Sequence, residues 1–363
     1  MVSIRCPVPR AARPEVIVMT IETTVAGFLL ISLTFYVLLG GADFGAGVWT
    51  LFARGQSAER QRDAIAKAIV PIWEANHVWL ILAVTILFTA FPRAFALLAT
   101  VLHIPLACML VGIVLRGSAF AFRTNDVAPR AARQETAHRF WEQVFGLSSV
   151  LTPIWLGTIV GAIASGRVRA PSGSFVDSFV RPWLAAFPVS VGLLALAMFA
   201  FLAAVYLVQD THDVRLQDAF RLRGLAAGAA VGIAALLAFI LSEDAAPEIR
   251  QGLADRPWGR SVLMVAASAG VAAQGLLWAR RYRPAAIAAA TEATLIVWGW
   301  ALAQYPYLVE PDLLIQNAAA PPQTLRLLLV LLIAGALVLF PSLYYLYKLF
   351  KGDIISPKVD STS

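Results

Sequence analysis

Residues 25–51 read VAGFLLISLTFYVLLGGADFGAGVWTL, a run in which Asp43 is the only charged side chain. Wound as a helix it would extend about 40 Å, at 1.5 Å per residue. The hydrocarbon core of a bilayer is about 30 Å thick, and backbone polar groups there must be satisfied within the chain, so a lone apolar run of this length crosses as a helix. Eight further runs follow, at 68–91, 95–115, 140–165, 182–208, 222–241, 262–279, 284–302 and 325–349. The chain therefore reads as an all-α, polytopic membrane protein with nine transmembrane helices. Nine spans allow two four-helix bundles plus one extra helix, although no internal duplication is visible. The longest connections, 116–139 and 303–324, are too short for a soluble domain.

Composition agrees with this reading. Of the 363 residues, 59% are hydrophobic and 14% charged, against about 45–50% and about 25% in soluble domains. A soluble two-domain enzyme, a disordered chain and a disulfide scaffold are all excluded. The net charge of +7 does not indicate nucleic acid as a partner, because the basic side chains lie between apolar runs, where they set orientation in the membrane. Cys6 and Cys108 are too few for a thiolate cluster, and no metal site is expected. No nucleotide-binding glycine loop, CxxC or HExxH occurs. Residues 21–352 form the transmembrane domain. Residues 1–20 read as a poorly ordered N-terminal tail, with Met19 an alternative initiator, and residues 353–363 as a short cytoplasmic tail.

A carboxylate at the centre of a membrane span costs about 2.5–3.5 kcal/mol on insertion scales, so each buried acid needs a reason. Asp43 lies in Gly40-Gly41-Ala42-Asp43-Phe44-Gly45-Ala46-Gly47. Gly41 and Gly45 make a small-xxx-small face for close helix approach, and Asp43 should face protein, either as a packing acid or as a carrier of protons or ions. The second polar group is Pro71-Ile72-Trp73-Glu74-Ala75-Asn76-His77-Val78-Trp79. Glu74 with His77 (i,i+3) and Trp73 with His77 (i,i+4) share one flank of a helix, and Asn76 adds an amide. Counted from the span ends, Asp43 and Glu74 lie at equal depth, about 10–12 Å in, where they would line a polar entrance or a structural hydrogen-bond cluster. If close, they would share a proton. His103 reads as mid-span, where it is either a core histidine or a partner of His77 in a bis-histidine haem site. Glu292 is near mid-span in 284–302, with Thr291 and Thr294 as candidate partners, and either extends a proton path or pairs across an interface. His138 and His212 fall in loops.

Several of these stretches together carry a family resemblance. Gly41-Ala42-Asp43-Phe44-Gly45-Ala46-Gly47, the run Pro71 to Trp79, and Val114-Leu115-Arg116-Gly117-Ser118-Ala119-Phe120 resemble subunit II of the cytochrome bd-type quinol oxidases. So do Tyr305-Pro306-Tyr307-Leu308-Val309-Glu310-Pro311-Asp312-Leu313, Asn317-Ala318-Ala319-Ala320-Pro321 and Pro341-Ser342-Leu343-Tyr344-Tyr345-Leu346-Tyr347-Lys348, in the family's order from about residue 21 to 352.

The resemblance implies a heterodimer in the bacterial cytoplasmic membrane. Its partner, subunit I, would hold two b-type haems and haem d and oxidise quinol on the outer side. This subunit would carry no catalytic residue, support assembly and supply protons from the cytoplasm for oxygen reduction to water, contributing to the proton gradient. The resemblance associates the acids Asp43 and Glu74 with that proton supply; Asn76 and His77, and as further candidates Trp73 and Glu292, join the pathway from the reading of the residues alone, and Glu292 matches no family motif. Some members hold a quinone in a structural role, and a small single-span accessory subunit is a further partner within the family's pattern. This chain has Glu at 74 and His at 77, where other members have Asp and some have Gln, so a haem on His77 or His103 stays open. The rival readings are an ion-coupled secondary transporter and an autonomous haem protein using His77 and His103.

Orientation follows from charge. With an odd number of spans, eleven of the 29 Lys and Arg residues lie on the N-terminal side and eighteen on the other. The positive-inside rule then puts the N-terminus outside and the C-terminus in the cytoplasm. A reporter fused after Ser363 should be active only in the cytoplasm, and one inserted within 310–316 only outside; the reverse pattern would overturn this topology.

Overall fold

The computed structural model describes residues 19–53, 58–124 and 132–352; in its helices, the side chains of 67, 69–75, 123–124, 132–138 and 346–352 lie outside the description. Of the two tails, only Met19 and Thr20 are therefore described. The elements run α1 (Ile21–Leu51), α2 (Ala58–Ala90), α3 (Pro92–Val101), α4 (His103–Thr124), α5 (Ala132–Ala164), α6 (Phe175–Phe179), α7 (Ala186–Asp210), α8 (Val214–Ala245), α9 (Pro247–Ala254), α10 (Pro257–Trp278), α11 (Tyr282–Gln304), β1 (Tyr307–Val309), β2 (Leu313–Leu314), α12 (Ile315–Ala318) and α13 (Pro322–Gly352).

Eight of these helices, α1, α4, α5, α7, α8, α10, α11 and α13, are long and apolar enough to cross a membrane. Helices α2 and α3, which meet at a bend of 114°, are together long and apolar enough for a ninth, broken span. Helices α1, α2, α4 and α5 pack as one group, α7, α8, α10 and α11 as a second, and α13 lies against α1 and α2. The groups join where α7 meets α1 and α5. This is the arrangement of two four-helix bundles and an extra helix.

Helix α1 starts at a capping box: Thr20 Oγ1 accepts from the Thr23 amide at 3.3 Å, and Thr23 Oγ1 accepts from the Thr20 amide at 2.8 Å. This satisfies amides that no preceding turn can reach. From Gly40 to Thr50 every residue is buried, as is every residue of α7 from Met198 to Val205. A helix that is apolar all round belongs inside a bundle, and α1 and α7 are the inner pair. They approach closely because α1 offers hydrogen in place of side chains. A Cβ on Gly45 would run into the Phe199 carbonyl and the Ala203 side chain, and one on Gly41 would meet Leu202. The Trp49 indole donates to the Ala200 carbonyl at 2.8 Å. The small-residue face seen in the sequence is thus used inside the subunit, against α7.

The third span differs from the sequence expectation of 95–115. Helix α3 ends at Val101, Leu102 leaves helical geometry, and α4 begins at His103. The cause is proline placement. Pro92 opens α3 at its first position and Pro105 sits in the first turn of α4, where a missing N–H costs nothing. Apolarity is continuous across this junction, so composition does not reveal it. Two consequences follow: His103 lies at a helix end, and Arg116 lies within a helix that runs on to Thr124.

The connection 303–324 packs as a lid over the end where α1 begins. Tyr307 pairs with Leu314 in a two-stranded antiparallel ladder. Val309, Ile315 and Ala318 pack with Val25, Ala90, Phe91 and Trp183 in one buried cluster. The Ala320 amide donates to the Ala90 carbonyl at 2.7 Å, and Arg93 Nη1 to the Asn317 carbonyl at 3.2 Å.

The α1–α7 contact is open to test. Overpacking costs about 1–3 kcal/mol, and a backbone carbonyl cannot rotate aside as a side chain can. Gly45→Leu should therefore abolish or strongly reduce recovery of the protein, while Gly27→Ala, where a Cβ meets nothing within 4 Å, should leave it unchanged. Normal yield and thermal stability of Gly45→Leu would show that α7 does not rest on this face.

Candidate functional site

The innermost polar group joins four helices. Asp43 (α1) is fully buried and Arg116 (α4) is 1% exposed. The guanidinium donates from Nη1 to Asp43 Oδ2 at 2.8 Å and from Nη2 to Oδ1 at 2.5 Å, a bidentate pair. Nη2 also donates to the Asp43 carbonyl at 2.9 Å, and Nε to Ser149 Oγ (α5) at 3.0 Å. Ser149 Oγ in turn donates to the Phe145 carbonyl at 2.6 Å. The rings of Phe44 and Phe145 face the guanidinium at 4.6 and 4.8 Å. From α2, Asn76 Nδ2 donates to Asp43 Oδ2 at 3.4 Å.

Local sequence explains how this fits. A Cβ on Gly47 would overlap Ser149, and one on Gly40 would come within 2.9 Å of Asn76 Oδ1. The glycines on either side of Asp43 therefore make room for its two neighbours. A planar guanidinium suits the site because it bonds a carboxylate with two parallel N–H groups and stacks on rings with its faces.

Asn76 Oδ1 is buried and has no hydrogen-bond donor among the described residues. An unpaired buried acceptor costs about 1–3 kcal/mol, which a bound water removes. Among the described residues, Asn76 Oδ1 is thus an acceptor left open beside Asp43.

The predicted residues fall into three groups. Asp43 and Asn76 converge; the depth argument paired Asp43 with Glu74, whose side chain lies outside the described residues. The counter-charge of Asp43 is Arg116. His77 is half-buried on α2 and engaged. Trp73 and Glu74 lie on α2, but their side chains are outside the described residues, and so is that of His138 in α5.

His103 does not match its mid-span expectation. It is exposed at the start of α4, with Nδ1 2.9 Å from the Thr100 carbonyl and its ring edge-on to Phe179. His77 lies thirteen residues before the end of α2, about 20 Å along the helix, so the two do not form an axial pair. Glu292 is 9% exposed and packs on α10, where a Cβ at Gly270 would meet its carboxylate. The expected threonine partners do not serve it: Thr291 and Thr294 donate to the Ile287 and Ala290 carbonyls of their own helix, each at 2.8 Å. Trp79 stacks on Phe35 with centroids 4.3 Å apart. Among the described residues, no group of three His, Cys, Asp or Glu side chains could hold a metal ion.

Arg116 is the residue that the sequence reading placed wrongly, at the start of a cytoplasmic connection. A signal was present: six uncharged residues, Gly117 to Phe122, follow it before Arg123, enough to carry the helix on. Breaking a buried pair from one side costs about 3–5 kcal/mol. Arg116→Leu should therefore lower the thermal midpoint of the solubilised protein markedly. Arg116→Lys should fall between, because an ammonium keeps the charge and loses the fork. Arg116→Leu combined with Asp43→Leu should cost less than the two single losses added. Strict additivity would mean that the pair is not energetically coupled.

The sequence profile of the family "Cytochrome bd terminal oxidase subunit II" matches residues 21–350. A putative cytochrome bd menaquinol oxidase subunit II of Bacillus subtilis is 23% identical over 339 residues, covering 90% of this chain and 93% of that protein. A cytochrome bd ubiquinol oxidase subunit 2 of the same organism is 26% identical over 217 residues, 58% and 62% of the two chains. A chain in the solved bd oxidase of Geobacillus thermodenitrificans has the same fold, with a TM-score of 0.74 at 24% identity, over 92% of this chain and 99% of that one. A match that begins at the first residue of α1 and reaches the last turns of α13 takes in every span, and the chain belongs to the cytochrome bd terminal oxidase subunit II family.

Proposed function

We propose that this chain, as subunit II of an oxygen-reducing quinol oxidase of the bd type, supports a haem-bearing subunit I and supplies it with protons taken from the cytoplasm. Membership of the family and the polytopic fold support the setting: a multi-pass protein of the bacterial cytoplasmic membrane, with the N-terminus outside. The b- and d-type haems belong to the partner in this reading. The separation of His77 from His103 supports that division, because the two do not converge on one iron.

One observation carries the proton reading. A buried acceptor, Asn76 Oδ1, stands without a donor among the described residues, beside a fixed carboxylate–guanidinium pair. Asp43 and Arg116 together are neutral, so they orient water without holding a net charge in the membrane. Asn76 accepts from a water, and His77 and Glu74 follow on the same helix at 1.5 Å per residue. Glu74 is the group that takes up and releases the proton. The chemistry at the haems, reduction of oxygen to water, consumes those protons on the partner subunit.

Glu74 is the cleaner probe, because Asp43→Asn would also leave Arg116 uncompensated. Glu74→Gln is close to isosteric and cannot titrate. In the purified complex it should lower oxygen consumption per haem by about 100-fold or more, the worth of a positioned proton-transfer group. Glu74→Asp should retain part of the rate. A Glu74→Gln complex with normal haem content and full turnover would refute the proton role, and a colourless chain purifying without a haem-bearing partner would refute the assembly role.

A further inference from the structure

The turn between α10 and α11, at the end of the bundles opposite the lid, reads Arg280-Arg281-Tyr282-Arg283. Arg280 stands in the left-handed conformation, with φ 58°. Its amide donates to the Leu277 carbonyl at 3.2 Å, and the Arg281 amide to the Leu276 carbonyl at 2.8 Å. This is the helix-ending motif in which glycine is usual. Arginine holds the place because its side chain is used: Nη2 lies 3.1 Å from the carboxylate of Asp218 on α8, which Arg221 also engages at 3.3 Å. The turn is thereby pinned to α8, and that acid is shared between two arginines.

Arg281 and Arg283 are exposed and make no ion pair or side-chain hydrogen bond among the described residues. Nor do they serve their own helix. A cation in the first turn opposes the helix dipole, and α11 has no acid in that turn. At the opposite end the protein itself holds several arginines: Arg93 donates to the Asn317 carbonyl, Arg181 pairs with Asp177 and Arg250 with Glu243. Towards the membrane, the two helices that flank the turn carry exposed apolar side chains. Val271 and Trp278 on α10, and Ile287 on α11 one turn from Arg283, are each 70–74% exposed.

We infer that this turn is a docking surface for an anionic phospholipid, with the phosphate held by Arg281 and Arg283 and the acyl chains lying along Trp278 and Ile287. Guanidinium groups match a phosphate with paired donors, and basic residues beside membrane helices attract acidic lipid. The exposed apolar side chains next to the arginines favour a lipid over a free phosphate, which would leave them uncovered. The inference is independent of the proton-supply reading.

Phosphatidylglycerol and phosphatidylcholine are the probes, applied to the full complex. In native mass spectrometry of the delipidated complex, Arg281→Gln combined with Arg283→Gln should bind one phosphatidylglycerol about 30-fold more weakly than the wild type, about fivefold for each arginine. Phosphatidylcholine binding should not change. Arg169→Gln combined with Arg260→Gln, at the opposite end, should leave phosphatidylglycerol binding as it is. Independently, hydrogen–deuterium exchange across 279–285 of the wild type should be slower in nanodiscs containing phosphatidylglycerol than in phosphatidylcholine alone. Equal phosphatidylglycerol binding by the wild type and the 281/283 double variant would overturn the inference. If that variant fails to assemble, equal exchange in the two kinds of nanodisc still overturns it. So does protection by inorganic phosphate in phosphatidylcholine alone, which would assign the arginines to a free anion.

Discussion

The ion pair between Asp43 and Arg116 is the constraint around which the first bundle is organised. Two charges placed separately in a bilayer would be costly, and together they are neutral, bidentate and stacked between Phe44 and Phe145. The pair ties α1 to α4, Ser149 brings in α5, and Asn76 brings in α2. With lipid outside there is little hydrophobic force to hold helices together, so a polar contact shared by four helices fixes both their order and their depth.

The second device is close approach. Gly45 lets α1 rest on the backbone of α7, and a similar exchange joins α5 to α7, where a Cβ on Gly157 would meet the Val191 carbonyl and one on Gly192 the Ile154 carbonyl. Dispersion forces fall steeply with distance, so such contacts replace in packing what the hydrophobic effect supplies in water. The two devices act at the same place. Asp43 and Gly45 are two residues apart, so one face of α1 holds the charge and another holds the glycine contact. The inner part of α1 therefore tolerates little change, while the faces of α10 and α13 carry exposed apolar residues such as Met264 and Leu337 that ask only for lipid or a partner helix.

This arrangement also separates fixed from mobile charge. Asp43 is held by Arg116 and suits an orienting role. Glu74 is the acid left for proton movement in the proposed scheme. Glu292 stands apart in the second bundle, packed on Gly270, and belongs to no step of that scheme.

The sequence by itself determined the class of fold, nearly all of the spans and the small-residue face of α1, because a bilayer permits only apolar helices of sufficient length and leaves that requirement in composition. It also marked Asp43 and Asn76, since polar groups in such runs are conspicuous. What it did not determine was where α3 gives way to α4, because Pro92 and Pro105 mark helix starts without interrupting apolarity. For the same reason Arg116 looked like the edge of a connection, and His103 like the middle of a span. Only the tertiary structure decided that Arg116 is the partner of Asp43 and that Gly45 faces α7. Which charge meets which, and which face meets which helix, depends on how separate helices rotate against one another, and that is settled by contacts between residues far apart in the chain.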